Sequence, residues 1–225
     1  MLDLPVGLPS ELVPLSWLVG VWEGEGLVEY QVGDETVRQP FRQRVSFSHD
    51  NQPYLNYSSQ SWIPASPQSA DDVSADGEAV GDDAPAAGAS TEELPQPLAA
   101  ETGYWRLARK FIEGDPGPGM LPPTAVRPFN TTESVEALRS SSGGFEVQVA
   151  LVHPTGVSEL YLGQVKNGRI DLSTDAVVRT EGAKDYSAAT RIYGLVEGDL
   201  LWAWDIAALG QSLRTHSSGR LTRVD

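Results

Sequence analysis

Three histidines and no cysteine bound the chemistry available to this 225-residue chain. Without a thiol there is no disulfide, no thiolate zinc site and no cysteine nucleophile, which leaves the imidazoles as the candidate ligands. His49 stands in the polar run Ser48-His49-Asp50-Asn51 and reads as a solvated turn residue. His153 precedes Pro154 at a hairpin end, where a hydrogen bond to the turn backbone would account for it. His216 differs in context, because Leu213 to Arg223 alternates and places His216 on one face with Arg214, Ser218 and Arg220. A lone histidine in a strand is structural more often than it is a ligand, and periodicity alone leaves both roles open. A hydrolase is disfavoured, since there is no nucleophile elbow and no Glu–Asp pair with recognisable spacing.

The elements that must position these residues are strands. Gly20-Val21-Trp22-Glu23-Gly24-Glu25-Gly26 puts Trp22, Gly24 and Gly26 on one face and Val21, Glu23 and Glu25 on the other. Glycine weakens a strand interior unless the backbone bends sharply or something approaches it closely, as at a barrel corner or a ligand cavity. This Gly-x-Trp-x-Gly-x-Gly run therefore predicts a barrel strand whose Trp plugs one end. A phosphate-loop reading fails, because no Lys-Ser or Lys-Thr follows and no helix opens. The run lies in a strand predicted over 18–30, and further strands are predicted over 42–48, 54–63, 103–112, 134–140, 144–153, 157–166, 169–174, 188–196, 200–207 and 212–224. Asn167-Gly168 is the strongest two-residue hairpin signal among them. Short connections throughout argue an all-β fold, a single antiparallel up-and-down barrel of about ten strands wide enough to hold a ligand. Helix is scarce, with Ser10 placed to cap a short turn through Trp17 over the barrel mouth.

Charge is unevenly distributed. The formal net charge is −15, and residues 64–101 hold nine acidic residues, ten Ala and five Pro, with no Lys, Arg or aromatic residue. Such a stretch cannot bury enough apolar area to offset the entropy of ordering it. We read 64–101 as a disordered acidic loop insertion within a barrel domain spanning 10–225, tolerated because loop-closure entropy grows only logarithmically with length. The acidic balance disfavours nucleic acid, which requires clustered Lys and Arg. No segment approaches the ~20 apolar residues of a membrane helix, and no basic, apolar leader stands at residues 1–14. A cytoplasmic protein is expected.

Four segments in fixed order carry a resemblance. They are the Gly20–Gly26 run, Glu101-Thr102-Gly103-Tyr104-Trp105-Arg106, the His153-Pro154-Thr155-Gly156 hairpin, and His216 followed by Leu221-x-Arg223. Together they resemble the nitrobindin family across nearly the whole chain outside 64–100. The resemblance implies a ten-stranded, fatty-acid-binding-protein-like barrel holding one haem b, with ferric iron bound by a C-terminal histidine and with peroxynitrite isomerase activity. On it, His216 is the axial iron ligand and acts in catalysis through the haem, and Gly20, Trp22, Gly24 and Gly26 are the signature motif. Lys184, in Ala183-Lys184-Asp185, resembles the family's pocket lysine and is a candidate cofactor contact, with a solvated loop charge as its other reading; Thr36 is the candidate for the family's pocket threonine after the first strand, in a segment, 33–39, whose length departs from the family's. A single histidine ligand, with no Cys or Met offered opposite, implies an open iron position for peroxynitrite or nitric oxide. A homodimer is compatible with this reading, and neither nucleic acid nor a membrane is expected as a partner. The chain departs from the family at His216-Ser217-Ser218, where members read His-Leu-x-Ala, and in its acidic insertion.

Two other classes follow from the same residues. One is a carrier of an apolar small molecule in which His216 is structural. The other is an interaction module whose 71–93 acidic tract recruits a basic partner.

Overall fold

The computed structural model describes residues 7–32, 35–65, 94–208 and 213–224. Among these, ten strands form one closed antiparallel barrel: β1 (Gly20–Val32), β2 (Glu35–Ser48), β3 (Leu55–Ile63), β4 (Gln96–Leu107), β5 (Phe145–His153), β6 (Val157–Lys166), β7 (Arg169–Arg179), β8 (Tyr186–Val196), β9 (Asp199–Ala208) and β10 (Arg214–Arg223). Each strand pairs with its successor and β1 pairs back onto β10, so the sheet has no open edge. Local chemistry enforces the meander. Asn167 and Gly168 adopt φ of 51° and 71°, the paired left-handed geometry of a two-residue hairpin turn, between β6 and β7.

Closure depends on the opening glycines. A Cβ on Gly24 would lie 2.1 Å from the Arg220 backbone oxygen, and one on Gly26 would lie 2.3 Å from Cζ of Phe41. Glycine at these positions admits the β10 backbone and the Phe41 ring against β1. Between them and the N-terminus, Trp22 is fully buried, donates from Nε1 to the Leu18 carbonyl at 2.7 Å, and carries the Arg223 guanidinium 4.5 Å from its ring centre. It fills the end of the barrel over which the 3-10 helix Ser10–Leu18 lies, burying Leu12, Leu15 and Leu18 completely.

In an up-and-down barrel the C-terminal ends of β1, β3, β5, β7 and β9 and the N-terminal ends of β2, β4, β6, β8 and β10 lie at the end opposite that helix. The long β4–β5 connection stays at the helix end. There Arg109, buried with Glu11 and Asp115, bonds both carboxylates at 2.6–3.1 Å and ties the connection to the helix.

Three expectations need correction. Residues 134–140 are not a strand, because α1 (Thr132–Glu136) starts there. The side chains of Thr131 and Ser134 each accept from the other's backbone N–H at 3.2 Å, and that reciprocal cap prevails over a weak alternation. The cap expected of Ser10 is also absent: its hydroxyl donates to the Asn130 carbonyl, linking the 3-10 helix to the β4–β5 connection. The 64–101 insertion ends early, since β4 begins at Gln96. Pro97 is tolerated because it sits where the register against β3 shifts at Ser61/Trp62, and Glu101 is held by the barrel interior. Residues 66–93, the bulk of the expected disordered loop, lie outside the described residues. Among the described residues no helix is long and apolar enough to cross a membrane.

Candidate functional site

A cavity of about 700 Å³ opens inside the barrel at the end away from the 3-10 helix. Its wall is largely apolar, with Phe41, Val45, Leu200, Trp202, Trp204 and Leu221 among the lining residues. Residues of β1, β2, β3, β4, β5, β8, β9 and β10 contribute to it.

His216 reaches this cavity through a β-bulge. The β10–β9 pairing runs Thr215↔Asp205 and then Ser217↔Trp204, so His216 is the extra residue on the bulged strand. Strict alternation had grouped His216 with Arg214, Ser218 and Arg220. The bulge breaks that pattern, and both His216 and Ser217 line the cavity while Ser218 and Arg220 stay exposed. Nδ1 of His216 lies 3.2 Å from the Glu29 carbonyl. A carbonyl only accepts, so Nδ1 carries the proton and Nε2 keeps the free lone pair. Burial pushes the His216 pKa below its ordinary value, and neighbouring Arg214 pushes the same way, against the Glu29 hydrogen bond. The ring is thus neutral near pH 7 and packs edge-on against Trp204, with centroids 5.7 Å apart.

Beside this pair lies a buried ionic network. Arg191 of β8 forms a bidentate pair with Glu101 at 2.7 and 2.8 Å, reaches Glu159 at 3.3 Å, and donates from Nε to the Tyr161 hydroxyl at 3.0 Å. Tyr57 donates to Glu101 at 2.6 Å, while Tyr161 and Tyr186 both donate to Glu159. Burial opposes ionisation of Glu101, but the Arg191 charge and hydrogen bonds, with His153 and Tyr57, outweigh it and hold the carboxyl at about 2. For Glu159 burial is likewise outweighed, by His153, Arg191 and the two phenols, and its pKa falls. His153 is therefore not explained by its turn: Nε2 lies 2.6 Å from Glu159, and the ring stacks on Trp204 at 6.3 Å. Arg191 lies 4.4 Å from the centre of the same indole. The ionic network holds Trp204, and Trp204 flanks His216.

The other sequence candidates fall elsewhere. Thr36 is exposed on β2, where its hydroxyl accepts from Gln31 Nε2 at 2.7 Å. Lys184 is exposed in the β7–β8 connection at the cavity end, its carbonyl accepting from Arg179 at 3.1 Å. Neither lines the cavity. His49 accepts from the Asn51 amide at 3.4 Å in the β2–β3 turn, at the opposite end.

A family model described as the THAP4-like, heme-binding beta-barrel domain matches residues 11–223. This chain belongs to that family. The resemblance to the nitrobindin family drawn from the four segments is thereby borne out. Among relatives of this THAP4-like barrel, a protein named peroxynitrite isomerase from Clavibacter sepedonicus is 62% identical over 225 residues, covering all of both chains. Another of that name from Leifsonia xyli subsp. xyli is 56% identical, again over the full length of both. A crystal structure, Rv2717c from M. tuberculosis, shares the fold with a TM-score of 0.59 at 22% identity, covering 99% of this chain and 100% of that one.

The pocket of this THAP4-like barrel fits such a group. It offers an imidazole whose second nitrogen is fixed by a backbone carbonyl, as metal-binding histidines require, within a largely apolar cavity of cofactor size. The other imidazole in the wall, His153, commits Nε2 to Glu159. Sequence reasoning missed Glu101, Glu159, Arg191 and Trp204. The first lay in a tract read as disordered. The others were ordinary strand residues, and the available signal was the placing of charge at inward positions of β6 and β8, where Leu or Val would be expected.

Proposed function

We propose that the cavity would hold one haem b through His216 Nε2 as the iron-binding residue, and that the chain converts peroxynitrite to nitrate there. What carries the reading is the bulge that turns His216 into the cavity with Nδ1 already engaged by the Glu29 carbonyl. The names of the full-length relatives support the reaction, and the family's description supports the cofactor.

Ferric haem, when bound, supplies a Lewis-acid iron with one position open to a small ligand. The chain's own residues do the rest. The Glu29 carbonyl fixes the His216 tautomer and ring orientation, and Trp204, clamped by Arg191 and His153, sets the wall beside the ring. The apolar lining excludes water and confines reacting fragments, as a rearrangement that adds and removes no atom requires. No side chain need act as an acid or base. Nitric oxide would bind at the same open position. Lys184, at the cavity end of the barrel, is our candidate for a propionate contact. Thr36, on the outer face of β2 and engaged by Gln31, is not retained as a cofactor contact.

Titration of the purified protein with haemin, followed by absorbance, tests the assignment. Wild type should develop a protein-bound ferric spectrum and His216→Ala should not; identical spectra would remove His216 as ligand. Peroxynitrite decay with nitrate yield then separates an isomerase from a nitric oxide carrier. Absence of any haem spectrum in wild type would favour a carrier of an apolar molecule.

A further inference from the structure

The wall of the cavity holds one basic and one acidic side chain, and they are bonded to each other. Among the described residues that line it, Arg191 is the single Arg or Lys and Glu101 the single Asp or Glu. Arg191 donates from Nη1 and Nη2 to the two oxygens of Glu101 at 2.7 and 2.8 Å, and the Tyr57 hydroxyl donates to Oε1 at 2.6 Å. Three donors thus converge on one carboxylate, two of them in the planar fork that matches its geometry. Glu101 keeps 11% of its side chain exposed and Arg191 keeps 3%, so the carboxylate is the more open half of the pair.

The clamp on Trp204 accounts for Arg191, which lies over that indole and is also held by Glu159 at 3.3 Å. Glu159 already supplies one carboxylate to the guanidinium, and Glu101 is the second. Without Glu101, the fork and the Tyr57 hydroxyl would face the space its side chain vacates, which is continuous with the cavity because Glu101 lines it. They would form a receptor for a carboxylate. With Glu101 in place those donors are filled and two carboxylates flank one guanidinium, so a further anion meets repulsion and no open donor of the fork.

We propose that Glu101 determines which ligands the cavity admits: as an internal carboxylate it occupies an anion site built by Arg191 and Tyr57, and so confines the interior to molecules whose buried end is uncharged. A molecule with an acidic group enters only with that group held toward the mouth. Its apolar part lies against side chains such as Phe41, Trp202 and Leu221, which line the same space. The inference stands on the ion pair and the cavity, so a negative haemin titration leaves it untouched.

The test uses the full-length chain without added haemin, titrated at pH 7 with 2-naphthamide and with 2-naphthoate, which share a shape and differ in charge, and followed by calorimetry. Wild type should bind the amide about tenfold more tightly than the anion, since a carboxylate finds no free partner in the wall. Glu101→Ala should reverse that order and bind the anion about tenfold more tightly, as charge-assisted hydrogen bonds to the vacated fork require. Benzoate, and not benzamide, should raise the thermal midpoint of this variant by taking the place of the lost side chain. Glu101→Gln removes the charge while leaving the fork filled, and serves if Glu101→Ala does not fold; it should bring the two affinities together. Equal affinities in wild type, no binding of the amide by wild type, an unreversed order or a midpoint unmoved by benzoate in Glu101→Ala, or an unchanged ratio in Glu101→Gln would each overturn the proposal.

Discussion

His216 and Arg191 face the same cavity, and burial acts on them in opposite ways. For His216 the penalty on the charged form, with Arg214, outweighs the Glu29 hydrogen bond, so the ring stays neutral with a lone pair available to a metal. For Arg191 the penalty is outweighed, chiefly by Glu101 with Tyr193 and Tyr161, and its ion pairs to Glu101 and Glu159 keep all three groups charged inside the barrel. Replacing Arg191 with Met should therefore leave two uncompensated buried carboxylates and cost about 3–5 kcal/mol at pH 7. Urea unfolding should show this, with part of the loss recovered on acidification as the carboxyls become neutral. In wild type the sign reverses. Glu101 has its folded pKa depressed from 4.5 to about 2, so its contribution is complete above pH 4.5 and is lost as the pH falls toward 2. Urea midpoints measured across that window should fall in wild type and fall less in Glu101→Gln. From sequence, His216 was legible as a candidate through resemblance, but its partner was not, because Glu29 contributes a backbone oxygen that any residue could supply.

At the scale of elements, a single irregularity in β10 decides whether His216 faces the cavity. Deleting Thr215 would shorten the bulged strand by one residue, restore alternation with the inward Ser217 and send His216 to the outer face with Ser218 and Arg220. The expected outcome is an intact barrel by far-ultraviolet circular dichroism with no ferric haem spectrum; a retained spectrum would show that the bulge is not required. On β1, Gly24→Val would push a side chain into the β10 backbone, where a Cβ already comes within 2.1 Å of the Arg220 oxygen. A loss of about 3 kcal/mol or more is expected, because backbone yields less readily than a side chain, and chemical denaturation would read it. Turns such as Asn167-Gly168 were legible because their geometry depends on two adjacent residues. The bulge was not, since it results from how β10 must fit β9 and β1 at once. The Thr131/Ser134 cap was local too, but its strand-like neighbours masked it.

For the whole molecule, the acidic segment 66–93 is expected to be separable from the barrel in energetic terms. Ile63 and Gln96 stand directly opposite each other in the β3–β4 ladder, so a short linker can join the strands as well as the natural segment does. Replacing residues 66–93 with a short Gly/Ser linker should change the unfolding free energy by no more than about 1 kcal/mol, since closure entropy depends only logarithmically on length. Haemin binding should also persist. A larger loss of stability, measured by denaturant unfolding, would mean that the segment packs on the barrel.

Composition and local pattern determined the class of this protein. Alternation, hairpin signals and glycines at inward positions of β1 specify an antiparallel barrel, because each depends on side-chain period or on turn geometry within a few residues. Ordered motifs added the family and the histidine. Only the tertiary structure decided what surrounds that histidine. The bulge at Thr215/Ser217, the Glu29 carbonyl on Nδ1 and the clamp of Arg191 and His153 on Trp204 join residues from five strands, β1, β5, β8, β9 and β10. Their meeting depends on the register with which the barrel closes, and no local pattern encodes that register.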